Sequence, residues 1–294
     1  MLIISVGGGK GGTGKTFIAT SIAHHLAGSG KKVLYVDADV ESPVSHTLLG
    51  IDGREIVEEA EGFLPSINAD RCVGCGICVE KCPAHALVGI KGTVPTLLEN
   101  VCEGCGLCMI VCPRNAIEDR GRIIGRIYSG RKGLIDLIQG EVLPGVKEHI
   151  NVILRTINYA EEKFGEYDYV IIDSAPGTGA GVWLAIRRAN IVVAVTEPTP
   201  LGAHDLDRFL LLSKKLGKRI VVVINKAGMG GARDDLIEEV ADKHGVEIIG
   251  RIPYSKEVLD AYIHGNSVMD LYPDSSVSKE LNNFVNKLLQ QVKK

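Results

Sequence analysis

Short runs of continuously apolar, mostly β-branched residues recur along the chain at Leu2–Val6, Val33–Val36, Tyr169–Ile172, Ile191–Val195 and Ile220–Ile224. Apolar positions that do not alternate mark strands covered on both faces, so these runs predict a mostly parallel sheet. Between them lie segments of helical period at about Lys15–Ala27, Val146–Lys163, Ala203–Leu216, Arg233–Lys243, Lys256–His264 and Val277–Val292. Strands alternating with helices predict a doubly wound α/β fold. The alternation stops after the second run and resumes through Arg122–Tyr128, which reads as a strand. The chain therefore divides into residues 1–64, an insert at 65–118 and residues 119–294.

The insert repeats itself. All eight cysteines fall between Cys72 and Cys112. Cys72, Cys75, Cys78, Cys82, Pro83, Ala86 and Leu87 align with Cys102, Cys105, Cys108, Cys112, Pro113, Ala116 and Ile117 at an offset of 30 residues, so the segment is an internal duplication. Disulfide scaffolds spread their cysteines along a small chain, whereas a tight cluster implies metal. Zinc also takes paired Cys-x2-Cys. Here each half reads Cys-x2-Cys-x2-Cys-x3-Cys-Pro, an iron–sulfur spacing. Each half supplies four thiolates, which leaves His85 as a surface residue.

A second chemistry follows the first strand. Gly9-Lys10-Gly11-Gly12-Thr13-Gly14-Lys15-Thr16 is a P-loop in the required strand, loop, helix context. Its glycines let backbone N–H groups turn inward around phosphates, the helix N-terminus adds its dipole, Lys15 reaches the β/γ oxygens and Thr16 can ligate magnesium. Carboxylates stand where such a site needs them, at the C-terminal ends of strands. They are Asp37 and Asp39 after the second strand, and Asp173 in the run that ends Pro176-Gly177. Singly, each carboxylate could cap a helix or face solvent.

Composition narrows the partners. With 33 basic against 36 acidic side chains, there is no surplus to displace phosphate counterions, so no nucleic acid is expected. No apolar run approaches the roughly 20 residues needed to cross a bilayer, and the N-terminus opens on a strand, so a cytoplasmic protein is expected. The basic stretch from Arg120 to Lys132 reads as a solvated strand face, with docking of an anionic partner or of the insert itself as the alternative. The apolar stripe Leu281, Phe284, Val285, Leu288, Leu289 and Val292, followed by Lys293-Lys294, reads as a closing helix packed on the sheet, with membrane contact as the alternative.

The loop Lys10 to Thr16 resembles the deviant Walker A motif of the MinD/ParA/Mrp group of P-loop ATPases, and the resemblance covers about 240 residues outside the insert. It implies ATP or ADP with magnesium, and a dimer that sandwiches ATP with itself or with a related subunit. Lys10 would reach the partner's phosphates and Asp39 would position the attacking water. Thr16, Asp37 and Asp173 would serve magnesium. Ser42-Pro43 and Pro176-Gly177 would be switch segments, and Asn225 and the loop containing Pro253 would contact the base. The insert resembles a bacterial two-cluster ferredoxin, a small α+β domain. That resemblance gives Cys72, Cys75, Cys78 and Cys112 to one [4Fe-4S] cluster, and Cys102, Cys105, Cys108 and Cys82 to the other. The leading expectation is an ATPase that couples nucleotide state to electron transfer with a redox partner protein. The alternatives are a cluster scaffold or carrier of Mrp type, although the Cys-x2-Cys pair usual near the end of that ATPase domain is missing here, and a MinD/ParA-like positioning ATPase.

Overall fold

Each of the five apolar runs forms a strand, because β-branched side chains fit a pleated surface buried on both faces. The structure, a computed structural model, describes residues 1–292. In chain order the elements are β1 (Leu2–Gly7), α1 (Lys15–Gly28), β2 (Val33–Ala38), α2 (Ser45–Leu48), β3 (Glu55–Gly62), β4 (Pro65–Ile67), α3 (Ile77–Lys81), β5 (Leu87–Val88) and β6 (Thr96–Leu97). They continue with α4 (Leu107–Ile110), β7 (Ile117–Asp119), β8 (Arg122–Lys132), β9 (Ile135–Val142), α5 (His149–Glu161), β10 (Tyr169–Ser174), α6 (Ala180–Arg187) and β11 (Ile191–Thr196). The last are α7 (Pro200–Lys215), β12 (Arg219–Ala227), α8 (Asp234–His244), β13 (Glu247–Pro253), α9 (Lys256–Ile263), α10 (Val268–Leu271) and α11 (Ser276–Val292).

A nine-stranded sheet runs in the order β13-β12-β11-β1-β10-β2-β9-β8-β3. The six pairings from β13 to β9 are all parallel, which makes the sheet mostly parallel. Contacts divide the chain into two compact units. The first comprises residues 1–57, 127–141 and 153–294, and the second comprises 58–126 and 142–152. The second unit is therefore larger than the 65–118 segment, and the chain crosses between the units four times.

In the first unit, α11 carries its apolar stripe into the core. Val277, Leu281, Phe284, Val285 and Leu288 are buried beside strand residues such as Ile4, Val193 and Val223. Lys293-Lys294 lies outside the described residues, and among those described no helix is long and apolar enough to cross a membrane.

The second unit has two small antiparallel sheets, β4-β7 and β5-β6. Cys78, Leu87, Cys108 and Ile117 form its buried cluster. Within this unit the basic stretch is neutralised side chain by side chain: Arg120 pairs with Glu99, Arg122 with Glu148 and Arg126 with Glu59. Arg120 and Arg122 therefore dock on the insert itself, through Glu99 and the Cys102 carbonyl, and the Arg122–Glu148 pair is largely buried, so this part of the stretch is not a solvated face.

Candidate nucleotide and cysteine sites

The nucleotide site is built by strand register. Asp37 of β2 lies opposite Asp173 of β10, and Asp173 lies opposite Val6 of β1, one residue before the glycine-rich loop begins. The loop closes through Asn225, whose Nδ2 donates to the Thr13 carbonyl at 2.8 Å. Gly14 makes this possible. It sits at φ 92°, and a Cβ there would collide with the Asn225 amide.

Lys15 is buried at the start of α1 and donates to the Lys10 carbonyl at 3.0 Å. Burial lowers its pKa, while Asp173 and Asp39 oppose that shift. Asp37 is held by two side-chain hydrogen bonds, the Ser45 hydroxyl donating at 2.6 Å and Gln139 Nε2 at 2.7 Å, and Gln139 Nε2 braces the pair by donating to Ser45 Oγ at 3.0 Å. Burial raises the Asp37 pKa against these hydrogen bonds. Burial and then the Asp37 charge raise Asp173, against Thr16 and Lys15. Tyr35 donates to Asp173 Oδ2 at 3.1 Å, which leaves the buried Oδ1 without a partner. Asp39 is pushed up to about 6 by burial and by Asp37, with Lys15 pulling the other way.

A cleft of about 410 Å³ is lined by Gly11, Gly12, Gly14, Lys15, Thr16, Asp39, Ser42 and Pro176, and continues along Val258, Ala261 and Tyr262 of α9 and Val268 of α10. The structure thus brings the loop, Asp39 and both expected switch segments around one cleft. Gly9 and Lys10 stand in the same loop, outside the lining. Asn225 and Pro253 also lie outside it: Asn225 braces the loop, and Pro253 ends β13. Lys10 pairs within its own chain with Glu197, at 2.5 Å.

These residues fit a magnesium nucleotide. A buried ammonium whose hydrogen bond is to a backbone carbonyl can turn to phosphate oxygens, and the unpartnered Asp173 Oδ1 and Thr13 Oγ1 are polar atoms that burial penalises until something binds them. Sequence reasoning missed Gln139, Tyr35 and Glu197. Glu197 follows β11 and also accepts from Lys226 at 3.0 Å, so its position after a parallel strand was a signal. Gln139 had none, because its role follows from lying opposite Asp37 in register.

In the cysteine unit, the duplicated loops turn on glycines at positive φ: Gly74 and Gly76 in the first, Gly104 and Gly106 in the second. Cys72, Cys75, Cys78 and Cys112 line one cavity, and Cys82, Cys102, Cys105 and Cys108 line another. Each fourth cysteine is thus with the other half's three. The Ala86 and Ala116 N–H groups donate to Cys82 Sγ and Cys112 Sγ, each at 3.3 Å. Burial raises the Cys78 thiol, and pushes Cys108 up to about 11. Among the described residues, no three His, Cys, Asp or Glu side chains converge on a single-ion position. Four thiols around a cavity, with amides aimed at sulfur, fit a cluster that supplies its own iron and sulfide.

Fold and loop together define a P-loop nucleotide-binding protein. The CobQ/CobB/MinD/ParA nucleotide binding domain family matches residues 4–268, and the chain belongs to that family of P-loop ATPases. It is 29% identical over 285 residues to an uncharacterised protein of Methanocaldococcus jannaschii, covering 97% of this chain and 98% of that one. It is 25% identical to an iron-sulfur cluster carrier protein of Saccharolobus solfataricus, covering 98% of this chain and 83% of the relative. The cell division ATPase MinD of Pyrococcus furiosus shares the fold with a TM-score of 0.61 at 18% identity, over 99% of both chains.

Proposed function

We propose that this protein is an ATPase that carries iron–sulfur clusters and hands them on. The observation that carries the reading is the presence, in one chain, of a P-loop cleft and two cavities each lined by four cysteines. Similarity to an iron-sulfur cluster carrier protein supports cluster handling over the electron-transfer expectation. In this reading the cysteine unit holds two [4Fe-4S] clusters, with the ligand sets that share a cavity.

At the nucleotide site, Lys15 meets the β/γ oxygens, and Thr16, Asp37 and Asp173 hold the magnesium shell. Magnesium neutralises charge on the phosphates. Asp39, which lines the cleft, positions the attacking water. Lys10 leaves Glu197 to reach the partner subunit's nucleotide when two copies close on ATP. Electron transfer stays as a second reading because Cys78 and Cys108, from the two different sets, share one buried cluster.

The test begins with anaerobic reconstitution, expected to give about eight iron and eight sulfide per chain. Transfer to an apo-acceptor protein is then followed with ATP, without ATP and in Lys15→Ala. Transfer that depends on ATP, with turnover in Lys15→Ala reduced about a hundredfold to a thousandfold, supports the carrier. Clusters that stay bound but shift in potential on adding ATP support the electron-transfer reading. Stoichiometric zinc without sulfide removes both.

A further inference from the structure

The two halves of the cysteine repeat are matched in sequence and differ in their cover. In the first, the turn between β5 and β6 lies over the loop: Gly92 N–H donates to the Gly74 carbonyl at 2.7 Å, and a Cβ on Gly74 would come within 2.6 Å of the Gly92 carbonyl carbon. Main chain closes that side, and Cys72, Cys75, Cys78 and Cys112 are all buried or half-buried.

The second loop has no such turn. Gly104 instead faces the Glu148 carboxylate and the Phe63 carbonyl. Arg122 fixes one end of the loop, donating to the Cys102 carbonyl at 2.8 Å and to Glu148 at 2.7 Å. The other end is open. Cys105 is the one cysteine of the eight that is exposed.

Resting on the carrier reading above, we infer that the two sets have different tasks: Cys82, Cys102, Cys105 and Cys108 hold the cluster that is handed on, while Cys72, Cys75, Cys78 and Cys112 retain theirs. Hand-over is ligand exchange and needs an acceptor sulfur to reach iron. It begins at the exposed ligand. An acceptor thiolate forms an Fe–S bond as the bond to Cys105 Sγ breaks, and the proton lost by the acceptor thiol goes to the freed Cys105 sulfur. Repetition at Cys102, Cys82 and Cys108 completes the transfer, with no change in iron oxidation state and all four sulfides moving together.

The experiment is anaerobic iron removal from the reconstituted full-length protein by 2,2′-bipyridyl, which reads lability without any acceptor. We expect two phases of equal amplitude, the fast one at least about tenfold faster. Cys105→Ser should keep about four iron that leave slowly, and Cys75→Ser, at the matching position, about four that leave fast. A third variant leaves every ligand intact: replacing residues 90–94 by Gly-Gly uncovers the first loop and should speed the slow phase alone. A single phase in the wild type, or a fast phase that survives Cys105→Ser, overturns the division of labour. Two phases without ATP-dependent transfer to an acceptor would instead remove the carrier reading and leave the asymmetry standing.

Discussion

Asp37 in the nucleotide unit and Cys78 in the cysteine unit are both buried polar groups at the heart of a site, and they are held in different ways. Asp37 is fixed by Ser45 of α2, Gln139 of β9 and the amide of Asp39, just past the end of β2. Cys78 stands in a small apolar cluster with Leu87, Cys108 and Ile117, at the start of a five-residue helix. The nucleotide site is assembled by a large core before any ligand arrives. The cysteine unit has little core of its own, so on the carrier reading proposed above bonds to iron would be part of what folds it.

The largest expected effect follows from that contrast. Anaerobic removal of iron should abolish hydrogen-exchange protection over residues 72–112, since bound metal contributes on the order of 10 kcal/mol to folding in such small sites. Protection in β1, β10 and β11 should survive. A cysteine unit that stays protected without iron would end the comparison.

A smaller effect separates the units by packing. Phe284, 1% exposed, fills the nucleotide unit's core, and Phe284→Ala should cost about 3–5 kcal/mol in denaturant unfolding. Ile110, 76% exposed in the cysteine unit, should change stability by no more than about 0.5 kcal/mol when replaced by Ala.

The smallest effect is electrostatic. Asp39 titrates at about 6 in the folded protein, and an unfolded aspartate near 4. Between those values the folded state holds the extra proton, so stability falls as pH rises through the window. Raised Asp37 and Asp173 carboxyls act in the same direction. The thermal midpoint of the nucleotide unit without ligand should therefore drop from pH 4 to pH 6. Asp39→Asn should flatten the slope, and an unchanged slope would remove the assignment.

How far the sequence went depended on whether a signal was local. The five buried strands are readable because burial on both faces leaves an unbroken apolar run. β3 was missed because Glu55–Gly62 is rich in glutamate, a helix former, and becomes a strand through pairing in the sheet. α7 starts at Pro200, three residues before the expected Ala203, and there a local signal existed: Pro at the first helical position and a Thr199 hydroxyl that accepts from the Gly202 amide at 2.9 Å. α5 begins at His149, not Val146, the preceding residues belonging to the segment that returns to the cysteine unit. For the site, residue types were legible and partners were not. Nothing in Lys10 or Asn225 announces Glu197 or the Thr13 carbonyl, because those contacts join positions that meet only once the strands are aligned.

The four crossings of the chain also set an order of manufacture. A ribosome delivers Cys112 36 residues before Glu148, an interval of roughly a few seconds at about 5–20 residues per second. All eight thiols are therefore in place before the carboxylate that pairs with Arg122 has been made. The cysteine unit has its full complement of chain at residue 152, while β1 still waits for β10 and β11. The nucleotide unit, begun first, is thus completed last, and the cysteine unit is finished while it waits.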